Sequence, residues 1–234
     1  MFFGASDFNQ DLSKWDVSAV TNMYGMFRGA KSFDGDLSKW DVSAVEDMRE
    51  VFREASSFNQ DLSKWDVSAV VDMQSMFWGA KSFDQDVSDW DVSQVVNMCG
   101  LFSGAEAFNR YLFVWDVSSV TDMRYMFANA KSFNQDLSVW EVFRVTNMHL
   151  MFGNAKSFNQ DLSDWDVSRV KDMCSMFAYA RAFEQKLCGA AWVNSKADKQ
   201  DMFKESPGSI AATGCTTAMP DLGAEDGVAI CAKQ

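Results

Sequence analysis

MFRGAKSFDGDLSKWDVSAVEDMRE (26–50) and VFREASSFNQDLSKWDVSAVVDMQS (51–75) are two cycles of one pattern, and MFGNAKSFNQDLSDWDVSRVKDMCS (151–175) is another. Counted from Met1, the spacing is 25 residues without insertion through seven cycles, and an eighth decays after about Leu187. A residue type that recurs once per cycle must meet its copies in neighbouring cycles, so the columns of this pattern are ladders in a one-dimensional stack.

Eight columns hold the core. The second and eighth positions carry Phe in every cycle, from Phe2 and Phe8 to Phe177 and Phe183. The fifteenth is Trp from Trp15 to Trp165, and the twenty-third is Met from Met23 to Met173. Leu or Val fills the twelfth, Val the seventeenth and twentieth, and Ala the fifth. The buried indole N–H of each Trp needs an acceptor, expected from a backbone carbonyl or turn side chain of the same cycle.

Within a cycle, LSKWDVS ends in a two-residue alternation that predicts a strand at Lys39–Ser43, with Trp40 and Val42 inward and Asp41 outward. Val20, Met23, Phe27 and Ala30 then fall at spacings of three to four, which predicts a helix with Ser18 as N-cap; Ser43 and Glu46 read as a capping box. Asn59-Gln60-Asp61 reads as the turn back into the strand. The expected fold is thus α/β: a curved leucine-rich-repeat solenoid of seven full repeats and a partial eighth, parallel strands on one face and short helices on the other. Its expected extent is 1–187, with a capping segment at 188–234.

Composition excludes several function classes. The 234 residues carry a net charge of −12, and no basic run offers attraction to nucleic acid. Apolar stretches are too short to span a bilayer, and the N-terminus lacks the order of a signal peptide. The array starts in mid-cycle at Met1-Phe2-Phe3-Gly4, which predicts either a fragment of a longer chain or a covering subunit. With one histidine, His149, which reads as surface or rim, and no base beside the serines, no catalytic residues and no cofactor are expected. A disulfide Cys188–Cys215 is expected in the non-repeating tail, where closing that loop contributes roughly 3 kcal/mol. Cys99 and Cys174, three cycles apart, read as free thiols, and the absence of C-x-x-C argues against zinc.

The cycle MFxGAxxFNQDLSxWDVSxVTxM resembles the BspA-type leucine-rich repeat of surface proteins, over residues 1 to about 187, and 187–215 resembles the C-terminal cap of algal members. The resemblance implies an extracellular or cell-surface binding scaffold without catalytic residues or a settled ligand.

Candidate sites lie where the repeat departs from itself. The column Asp16, Asp41, Asp66, Asp91, Asp116, Glu141 and Asp166 faces outward. Lys14, Lys39 and Lys64 offset it in the first three cycles, but Asp89, Val114, Val139 and Asp164 replace them. Asp91, Asp116, Glu141 and Asp166 are therefore weak calcium candidates, and a carbohydrate- or calcium-binding adhesion module is the alternative function. In the fifth and sixth cycles Arg110, Tyr111, Phe113, Val114, Val139, Phe143 and Arg144 stand where other cycles have small or charged residues. This patch is the expected partner-binding surface of a protein-interaction scaffold, on the concave strand face.

Overall fold

The computed structural model describes residues 1–213. Each cycle forms one coil of a stack, tied to the next by backbone hydrogen bonds. Met23, Gly25, Phe27 and Gly29 donate to the carbonyls of Asp47, Arg49, Val51 and Arg53 at 2.7 to 2.9 Å. The same positions act in each following coil, down to Met173, Ser175, Phe177 and Tyr179, which donate to Asp198, Gln200, Met202 and Lys204. Alternate residues fold back instead: Met26, Arg28 and Ala30 donate to Met23, Gly25 and Phe27. Isolated parallel bridges mark the seam, from Asn22↔Asp47 to Asp172↔Asp198.

This architecture overturns the expected α/β leucine-rich-repeat solenoid with a strand face and a helix face. No helix interrupts residues 1–187, and the stretch predicted as strand, 39–43, straddles two turns, closed by Trp40 N–H to Leu37 O and Val45 N–H to Val42 O. An α-helix needs consecutive donors to reach back four residues, whereas here every second donor crosses to the next coil. Spacings of three mark the ends of tandem β-turns, Val17 to Val20, Met23 to Met26 and Phe27 to Ala30, which place apolar side chains inward as a helical stripe would. The expected capping box is also replaced: Ser43 Oγ donates to Asp41 Oδ1, two residues back, at 2.6 Å.

The turns require a left-handed residue twice per coil. Gly25 and Gly29 have φ of 59° and 71°, and their equivalents Glu50 and Glu54 have 56° and 61°. Only glycine takes this conformation without steric cost. The sequence nevertheless places Tyr125, Asn129, Leu150 and Tyr179 there in later coils, with φ between 53° and 61°.

The core is columnar. Within each coil the second- and eighth-position phenylalanines stack at 3.9 to 4.2 Å, and Phe27 lies 5.5 Å from Phe2 and 5.6 Å from Phe52 in the adjoining coils. From Phe27 to Phe183 both columns are fully buried. Trp40 and Val42 point inward as predicted, but the indole partner lies one coil back: Trp40 Nε1 donates to Leu12 O at 3.1 Å and Trp65 Nε1 to Leu37 O at 3.0 Å. From Trp40 to Trp165 each indole therefore joins two coils and satisfies its own buried N–H, as a second donor to a carbonyl that already closes a turn.

Polar side chains stitch the outer edge. Asn59 Oδ1 accepts the Asp84 N–H, and Asp84 Oδ1 accepts the Asn109 N–H, so each ninth-position side chain caps the backbone of the following coil. Asp36, Asp41 and Asp47 each accept the N–H two residues on, which is an Asx-turn.

The stack continues on both sides of residue 187. Trp192 Nε1 donates to Leu162 O at 2.8 Å, and Phe203 stacks on Phe177 at 5.5 Å. A short helix, α1 (Ala190–Asn194), accommodates a one-residue expansion of this coil, and β1 (Lys186–Leu187) pairs in parallel with β2 (Ser209–Ile210). Cys99 and Cys174 are free thiols. The Cys188–Cys215 pairing involves Cys215, which lies outside the described residues, as does Cys231. No helix among the described residues is long and apolar enough to cross a membrane.

Two predictions follow from these turns. Glu54→Gly should raise stability by about 1 kcal/mol in urea unfolding, because it relieves a left-handed residue that is solvent-exposed. The Ser18 and Ser43 donors hold Asp16 and Asp41 below the usual aspartate pKa, outweighing the repulsion Asp41 feels from Asp16. Carboxyls with depressed folded values contribute stability above the unfolded value of about 3.9 and lose it as pH falls through the folded one. The melting temperature should thus change little between pH 7 and about 5 and fall below about 4, with a shallower acid limb in Ser18→Ala/Ser43→Ala.

Candidate interaction face

The fourteenth position is exposed in all seven coils. Its side chains are Lys14, Lys39 and Lys64, then Asp89, and then two valines side by side, Val114 at 63% and Val139 at 48% exposure. Leaving two adjacent β-branched side chains in water forfeits their burial, and the neighbouring positions frame them with grooves. One groove runs between Val114, Asp116, Ser118 and Val139; the next is lined by Val139, Glu141, Phe143, Asp164 and Asp166. Phe143 is half-buried in that wall, with the Arg144 guanidinium 5.8 Å from its ring centroid.

The remaining sequence-derived residues sit toward the start of the fifth coil. Tyr111 and Phe113 stack at 5.7 Å, Tyr111 exposed and Phe113 half-buried. Arg110 replaces the usual Gln and donates through Nε to Asp84 O and through a terminal nitrogen to Asp84 Oδ2, both at 2.8 Å. It answers a local change, since Asp84 stands where the neighbouring coils carry Asn59 and Asn109, and it fixes the loop that presents Tyr111. The concave strand face expected to carry these residues does not exist; they occupy turns and the segments between them.

The outward carboxylate column is largely engaged by its own chain. Asp91, Asp116 and Asp166 accept the N–H of Ser93, Ser118 and Ser168 at 2.9 to 3.0 Å. Serine hydroxyl and N–H donors hold Asp116 and Asp166 below the ordinary aspartate pKa. The sixth coil breaks this order, because Phe143 occupies the serine position and Glu141 is too long for an Asx-turn. A calcium site would have to displace these donors, and the column alone does not gather the six to eight oxygens that calcium takes.

Beyond Arg144 opens a cleft missed in the sequence. Arg144, Arg169, Lys171 and Lys196 line it with Thr146, Ser168, Ser195 and Asn194, and no carboxylate is among its described lining residues. Four cations in one cleft of a chain of net charge −12 are a local field of opposite sign. The signal was present: the nineteenth position is Ala19, Ala44 and Ala69 early and Arg144 and Arg169 late. Lys196 could not be assigned, because α1 shifts the register of the last coil.

His149 is half-buried, its Nδ1 3.8 Å from Asp172 Oδ1 and its ring edge-on to Tyr125 at 5.2 Å. Beside it, burial and the facing carboxylates of Asp172 and Asp198 push the Cys174 thiol up to about 11, opposite to the shift that activates a nucleophilic cysteine.

The family model described as a Mycoplasma protein of unknown function, DUF285, matches residues 1–114 and 101–210. No curated protein and no solved structure matches the chain. Both matched segments are runs of the 25-residue coil, and together they span nearly all of the described stack. The chain belongs to the DUF285 repeat family.

Proposed function

We propose that this chain is a non-enzymatic scaffold that binds a protein partner through the outer face of its fifth to seventh coils. Val114, Val139 and Phe143 provide the apolar contact, Tyr111 and Phe113 extend it, and the cleft from Arg144 to Lys196 receives an acidic group of the partner. The observation that carries this reading is the pair of exposed valines on a column that is charged in the other five coils. Apolar side chains framed by polar grooves, with an aromatic and an arginine alongside, are the composition of contact hot spots. The resemblance of the repeat to BspA-type surface proteins supports an extracellular, cell-surface or assembly setting.

The test restores what other coils carry. Val139→Lys and Phe143→Ser place the residues of the second coil, Lys39 and Ser43, in the sixth. Val139→Lys should move stability by no more than about 0.5 kcal/mol, and Phe143→Ser, which gives up a half-buried ring, by about 1 kcal/mol, leaving the stack folded. Crosslinked complexes isolated from the source cells should contain a partner with the wild-type chain and lose it with the double variant. A partner that remains at wild-type yield would remove this face from consideration.

A further inference from the structure

The twenty-second position carries a carboxylate or amide in each coil: Asn22, Asp47, Asp72, Asn97, Asp122, Asn147, Asp172 and, after the one-residue expansion, Asp198. Where Asp and Asn alternate, the amide relieves the charge, as Asn97 Nδ2 does for Asp72 Oδ2 at 3.2 Å. At two places aspartates are direct neighbours. Between Asp47 and Asp72 the cation is built in: Arg49, two positions on, donates to both Asp47 oxygens and is also drawn by Asp72. Between Asp172 and Asp198 the corresponding side chain is Cys174. Among the described residues no lysine or arginine nitrogen lies within 4.0 Å of either carboxylate, and the only ion-pair partner is His149.

Stacking brings three kinds of donor to this spot. A ring nitrogen of His149, a carboxylate oxygen of Asp172 and the Cys174 sulfur all lie within 4.8 Å of one another. Asp198 faces the same thiol from the next coil. His149 and Cys174 share a column and are therefore held one coil apart by the backbone, while Tyr125 packs T-shaped against the imidazole from the coil before.

We propose that His149, Asp172 and Cys174 form a binding site for a zinc-class divalent cation, with Asp198 facing the thiol from the next coil and solvent completing the shell. Nitrogen, oxygen and thiolate donors together suit zinc or cobalt, whereas calcium and magnesium take oxygen shells. The cation would occupy the role that Arg49 fills between Asp47 and Asp72, and would clasp the sixth and seventh coils. Binding would release the thiol proton to solvent, so affinity rises with pH.

The molecule contains its own control. Cys99 stands on the same column as Cys174, but its neighbours there are Gln74 and Arg124, and the Arg124 guanidinium is bonded to Asp122 at 2.7 Å. Cobalt(II), titrated into the full chain under reducing conditions, should bind at one equivalent with the near-ultraviolet absorption of a thiolate-to-cobalt bond and the visible bands of a four-coordinate ion. Zinc should displace it. Cys174→Ser should abolish the thiolate absorption and Cys99→Ser should leave it unchanged. His149→Gln and Asp198→Asn should each weaken binding at least tenfold. Circular dichroism of the metal-free variants separates lost ligation from lost folding, and the nearly isosteric Asp198→Asn keeps the test valid if Cys174→Ser does not fold. The proposal is overturned by a wild-type chain without thiolate absorption at stoichiometric cobalt. Absorption that survives Cys174→Ser, or disappears in Cys99→Ser, overturns it equally by assigning the metal to another cysteine.

Discussion

Backbone hydrogen bonds between coils are the constraint on which everything else here depends. The described residues, with almost no helix and two-residue strands, must still satisfy their buried N–H groups, and do so by sending alternate donors of the 23–29 segment to the next coil. That arrangement fixes the register of every side-chain column. It explains why seven cycles tolerate no insertion, and why the one extra residue falls beside α1, where the ladder from Met173 to Tyr179 can shift as a unit. Left-handed residues are the conformational cost: eleven non-glycine residues among those described have positive φ, an expense the inter-coil bonds and the phenylalanine columns must offset.

Because register is fixed, a substitution in one coil is answered in its neighbour. Arg110 responds to Asp84, and Lys131 pairs with Glu106 at 2.6 Å, each one coil back. These surface pairs individually contribute little to stability. Their value for reading function is that they separate compensated departures from uncompensated ones. Val114 with Val139, the cationic cleft beyond Arg144, and Asp172 with Asp198 are the departures that the stack leaves without an internal answer, and they lie in the fifth to last coils.

Much of the candidate face was legible in advance. The columns identified Val114 and Val139 as neighbours, Trp40 and Val42 as inward, and Asp41 as outward, because a strict period converts sequence position into spatial position directly. The cluster around His149 was equally encoded, since Cys174 lies one period away; it stayed hidden while partners were sought at the local spacings of metal motifs. Lys196 and Trp192 were not legible, because the expansion at α1 breaks the count that assigned all other columns.

The 25-residue period, the membership of the core and the faces on which its irregularities fall are written in the order of the residues. Only the folded stack decided the backbone conformation and the approach of Asp198 to the His149 cluster, which the expansion at α1 takes out of the 25-residue count. Apolar residues three apart satisfy a helical stripe and a string of β-turns alike, and the choice between them lies in where the amide hydrogens go. Those hydrogens are the same in every non-proline residue, so they leave no mark in the sequence until a second coil supplies their acceptors.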